Sequence, residues 1–166
     1  MVTPGTATQD KLLEHQSNNF LAAIQLGESV QGIAFLDIST GEFFTTQGNP
    51  DYIDQLLQTL QPAEVIFQRN HQKIFKETYG DRFYTYSLES WGVDEIYAKE
   101  ILLRHFQTHS LKGFGIETIP QGIIAAGAII HYLKETEHPN LQHITTIQRL
   151  ERGELFVDGS VYSSKP

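Results

Sequence analysis

Phe35-Leu36-Asp37-Ile38-Ser39-Thr40-Gly41-Glu42-Phe43-Phe44 reads as two strands joined by a tight turn. Ser39, Thr40 and Gly41 supply the turn, and glycine accepts a positive φ without a steric penalty. Upstream, Asn19 to Leu26 is a second strand-like run, and Gly27-Glu28-Ser29 separates it from the next strand. Strand 31–38 carries Ala34, Leu36 and Ile38 on one side and Ile33 and Phe35 on the other. A strand apolar on both sides belongs in the middle of a sheet covered on both faces. Strand 42–46 is shorter and is expected nearer an edge.

Downstream, the period of the apolar residues changes. Asn49-Pro50 caps and starts a helix whose stripe is Tyr52, Ile53, Leu56, Leu57 and Leu60, and Pro62 stops it. Glu64 to Phe67 is a short strand. A helix over about 70–79 follows, with Ile74, Phe75 and Tyr79 inward and Gly80 at its end; Arg82 to Thr85 reads as a fifth strand. Two further helices are expected, Val93 to Phe106 (introduced by Trp91) and Gln121 to Thr136, the latter rich in small residues that allow close packing. Beyond Thr145 one strand-like piece, Glu154 to Val157, precedes a polar end. The order β-β-β-α-β-α-β-α-α is that of a ribonuclease-H-like α/β domain. Its expected mixed sheet has about five strands, three antiparallel and then parallel additions, flanked by helices.

Composition narrows the function. The chain has 166 residues, 40% of them hydrophobic, enough for one domain with a core. It has no cysteine, which excludes a disulfide framework and a thiolate metal site and fits a reducing compartment. No basic and apolar leader follows Met1, and the longest apolar run, Ile123 to Ile130, is too short to span a bilayer. The formal net charge is −8 with scattered basic residues, which speaks against a free-standing nucleic-acid binder because phosphate neutralisation supplies most of such affinity.

Five blocks in order resemble the connector-domain (domain II) family of bacterial MutS mismatch-recognition proteins, with a Bacteroidetes flavour. They are Val2 to Thr6, Asn18 to Ala23, Leu36 to Phe43, Pro62 to Val65, and Leu111 to Gly115 with the following Ala125 to Ala128. The resemblance runs from about residue 2 to about 147. It implies a linker over residues 1–18 from a missing mismatch-binding domain and a connector over 19–147. Residues 148–166 are then either the start of a core domain or a divergent or foreign tail, because Gly159 to Pro166 departs from the family's Arg-Asn-Leu-Glu continuation. It also implies a cytoplasmic, non-enzymatic fragment that joins the mismatch-binding and core/ATPase regions, relays the ATP-driven state and docks MutL, meeting mismatched DNA only through the parent. ATP and Mg belong to that parent; this chain has no G-x-x-x-x-G-K-[ST] loop. The candidate docking surface is Asp94, Glu95, Lys99, Glu100 and Arg104 on the third helix.

Other constellations have plainer readings. Asp37, on a central strand, invites a two-metal nuclease with Glu42, Glu64, Asp94 or Glu117 as partner acids; this is the alternative function. A carboxylate just before a turn also accepts turn N–H groups, so Asp37 and Gly41 are read as structural. Gly113-Phe114-Gly115 lacks the Lys and helix of a phosphate loop; Phe114 is expected in the core, with the two glycines bending the backbone. His105 and His109 are read as a surface pair, His131 as a satisfied helix histidine, and Phe75-Lys76-Glu77 as a chance match to the family's Phe-x-Glu wedge.

Overall fold

The computed structural model describes residues 20–88, 94–136, 138 and 140–150. The expected strand at 154–157, Trp91 and Val93 lie outside these residues. Three strands open the fold: β1 (Phe20–Gln25), β2 (Gln31–Asp37) and β3 (Phe43–Gly48). Each pairs antiparallel with the next, in registers that include Phe20↔Asp37 and Leu36↔Phe43. Helix α1 (Pro50–Leu60) crosses to β4 (Glu64–Gln68), which lies parallel to β1, and α2 (Gln72–Tyr79) leads to β5 (Thr85–Leu88), parallel to β4. Helices α3 (Glu95–Phe106) and α4 (Pro120–Glu135) then carry the chain across the sheet to β6 (Gln148–Arg149), parallel to β3. The sheet order is β5-β4-β1-β2-β3-β6.

Strand alternation divides the core in two. Phe20, Ala22, Ile33, Phe35, Val65 and Phe67 meet α1 and α2 on one face. Leu21, Ala23, Ala34, Leu36 and Ile66 meet α3 and α4 on the other. Every residue of β2 is buried, as expected of a strand covered on both sides. Helix α4 is apolar around most of its circumference because it lies between the sheet and α3. A Cβ at Gly127 would sit 2.6 Å from the Ala98 Cβ, so the two helix backbones approach as closely as that glycine permits.

Local signals set most boundaries. The Asn49 side chain accepts the Tyr52 N–H at 2.8 Å with Pro50 in the first turn, and Asp94 caps α3 by accepting the Tyr97 N–H at 2.8 Å. The start of α4 is capped from elsewhere: no side chain at Ile119 does so, and Gln47 Oε1 on β3 accepts the Gln121 N–H at 2.8 Å. Three expectations shift. The fifth strand runs Thr85–Leu88 rather than 82–85, because Arg82 turns away to Asp54 at 2.5 Å and to the Tyr79 carbonyl at 3.2 Å. Ile74 is 48% exposed; only Phe75 and Tyr79 of its helix reach the core, and Phe75 stacks on Phe67. A sixth strand, β6, joins the sheet, so β3 has a neighbour on each side.

Candidate partner interface

Helix α3 presents a mixed face. Ala98, Ile101 and Leu102 are buried against α4, while Asp94, Glu95, Ile96, Glu100 and Arg104 are exposed and Lys99 is half-buried. At helical spacing, Ile96, Glu100 and Arg104 form one outward row with Ile96, 72% exposed, at its N-terminal end. The five charged residues expected on this surface therefore do not act alike. Asp94 is engaged as the N-cap, Glu95 lies in the first turn where the helix dipole favours an acid, and Glu100 and Arg104 form the charged centre of the row. The composition signal missed Ile96, an exposed large apolar side chain beside these charges.

The opposite side of α3 is tied down. Tyr97 Oη and His131 Nδ1 lie 3.1 Å apart, and His131 Nε2 is 3.6 Å from Glu135. His105 is half-buried rather than half of a surface pair, and its Nε2–H donates to the Ile144 carbonyl at 2.8 Å. Burial holds its imidazole below the usual histidine range and nearby Lys134 adds to this, while the Ile144 bond opposes both. His109 is exposed.

The hairpin residues occupy a separate place. Asp37 is 1% exposed, and its Oδ1 accepts the Ser39 N–H at 2.9 Å, the Ser39 hydroxyl at 2.7 Å and the Thr40 N–H at 3.3 Å. Gly41 follows with φ +85°, and a Cβ there would lie 2.7 Å from the His143 carbonyl oxygen. His143 Nε2–H in turn donates to the Ile38 carbonyl. The carboxylates do not fit a two-metal site. Alternation points Asp37 to the α1/α2 face with Phe35 and Glu64 to the α3/α4 face with Ile66. Among the described residues no three His, Cys, Asp or Glu side chains converge to hold an ion. Phe114 is half-buried and packs on Phe106 at 4.9 Å; Gly115 has φ +77°, whereas Gly113 has open space around it and no positive φ, so only one of the two glycines is needed for the bend.

Three antiparallel strands extended by parallel ones, with helices on both faces, define a ribonuclease-H-like α/β domain. The family model for MutS domain II matches residues 19–145, and the chain belongs to that family, the connector domain of MutS. It is 51% identical over 150 residues to the DNA mismatch repair protein MutS of Flavobacterium psychrophilum, covering 90% of this chain and 17% of that protein. It is 52% identical over 151 residues to that of Cytophaga hutchinsonii (91% and 18%) and 48% identical over 151 residues to that of Bacteroides fragilis (91% and 17%). The chain thus spans less than a fifth of the length of these curated relatives. Among the described residues no helix is long and apolar enough to cross a membrane.

Proposed function

We propose that this chain works as a non-catalytic, cytoplasmic connector within a MutS-like mismatch-repair protein. It joins the mismatch-binding region to the core and ATPase regions, passes the ATP-driven state between them, and docks MutL on the outward row of α3. The observation that carries the reading is the family match over residues 19–145 together with about half identity to MutS proteins along nine-tenths of the chain. The domain needs no cofactor of its own in this role; ATP and Mg would act in the ATPase region, and mismatched DNA would be met by the parent. A sheet packed by helices on both faces suits a relay, because packed cores pass on displacement rather than absorb it. On α3, Glu95, Glu100 and Arg104 supply charge that steers encounter, and Ile96 supplies apolar area to be buried.

The test is MutL binding by the chain carrying Glu95→Lys and Glu100→Lys. Loss of affinity by about tenfold or more, mainly through a slower on-rate, is expected. Unchanged binding by a folded double variant removes this face from the interface. Asp94 is left intact because its loss would also uncap the helix.

A further inference from the structure

The edge of the sheet at β5 carries an unusual grouping. Among the described residues β5 pairs only with β4, so no described strand takes up its outer N–H and C=O groups. The parallel register sets Val65 beside Thr85 and Ile66 beside Tyr86, which extends to Glu64 beside Tyr84; the Val65 N–H bonds the Tyr84 carbonyl at 2.9 Å. Tyr84 is 74% exposed and Tyr86 49%. Tyr132 of α4 lies on the same face, its ring 5.6 Å from that of Tyr86. Tyr132 is the centre of the group: its hydroxyl bonds the Glu64 carboxylate, and Tyr86 and Tyr84 lie close enough to act on it electrostatically. No Lys, Arg or His pairs with Glu64 within 4 Å among the described residues.

We propose that the β5 edge and the Tyr84, Tyr86, Tyr132 and Glu64 patch dock an extended, arginine-bearing segment of a protein partner. Its backbone adds to β5 as a seventh strand, and a guanidinium lies over the tyrosine rings against Glu64. This site lies apart from α3 and stands without the MutL reading. An edge strand offers main-chain hydrogen bonds, and alternate side chains of the added strand meet what lies on each face. Tyrosine faces attract a guanidinium through the ring quadrupole, most strongly where water is partly excluded. Glu64 lies two strand spacings from the added strand, about 10 Å, which an Arg and a Glu laid toward one another span. The chain's formal charge of −8 favours a cationic partner. The same environment marks Glu64 chemically: burial raises its carboxyl above the usual carboxylate range, partly offset by the Tyr132 hydroxyl. A guanidinium arriving there would meet a half-buried carboxylate.

The probe is the peptide acetyl-Thr-Arg-Val-Arg-Val-Thr-amide, titrated into the 166-residue chain and followed by NMR of tyrosine rings and backbone amides. Its control carries citrulline, a neutral isostere, at both arginines. The expected result is movement of the Tyr84, Tyr86 and Tyr132 rings and of the Thr85–Leu88 amides, with the citrulline peptide binding about tenfold more weakly. Glu64→Gln should lower affinity for the arginine peptide about fivefold and leave the citrulline peptide unaffected, since Gln keeps an acceptor for Tyr132. Tyr84→Ala, at a position too exposed to matter for folding, should also weaken the arginine peptide. Equal binding of the two peptides, or no response of the β5 amides and tyrosine rings at millimolar arginine peptide, overturns the proposal.

Discussion

At Gly41 two constraints coincide in one residue. The backbone there has φ +85°, and a Cβ would meet the His143 carbonyl at 2.7 Å. Gly41→Ala should therefore destabilise the domain by about 1–3 kcal/mol, read as a lower urea midpoint at unchanged slope. Gly115, with φ +77° but open space around it, should cost less when replaced, since only the backbone objects. His105 gives the chain a pH dependence of known sign. Its folded pKa lies below the ordinary 6.5, chiefly through burial, so the unfolded chain binds the proton more readily. Stability from this group is complete above pH 6.5 and is lost as the pH falls from there through the lower folded value. The slope should reach at most about 1.4 kcal/mol per pH unit, and His105→Gln should flatten that part of the profile in urea titrations between pH 7 and 5.

Among the elements, α4 depends most on its surroundings. Its first N–H groups are served by Gln47 on β3, and the Thr45 hydroxyl reaches the Gly122 carbonyl at 2.8 Å. Both contacts cross more than seventy residues of sequence. Gln47→Ala should behave like the loss of a helix cap, lowering stability by about 1 kcal/mol in thermal or urea unfolding. A comparable loss is expected at Asn49, whose cap of α1 was visible as Asn-Pro in the sequence. The two positions make the same kind of bond, yet only the second is local. The missed placement of β5 has a related cause. The run Arg82 to Thr85 has good strand composition, but the ion pair of Arg82 with Asp54 and the alignment with β4 start the strand three residues later.

For the whole molecule, the two core layers close at β6. Gln148 and Arg149 lie beside Phe44 and Thr45, the Leu150 N–H bonds the Thr45 carbonyl at 2.9 Å, and Ile147 and Leu150 are buried on opposite faces of the sheet. These residues lie at and just past the connector limit suggested by resemblance, and they belong to the same sheet. Leu150→Ala should cost about 2–4 kcal/mol, because it leaves a hole beside the α1/α2 layer. A Tm unchanged from that of the parent chain would show that β6 is dispensable to the core.

The sequence by itself determined the order of elements from β1 to α4, the hairpin at Ser39 to Gly41, the two-sided burial of β2 and the family, because each rests on local periodicity, turn chemistry or blocks of adjacent residues. The tertiary structure alone decided that Asp37 and Glu64 face opposite sides of the sheet, that His105 and Gln47 serve distant backbone groups, and that Tyr132 of α4 bonds Glu64 beside Tyr86 of β5. Those relations depend on register and on which elements become neighbours, and both are settled by burial of apolar faces across the whole chain rather than by any short stretch of it.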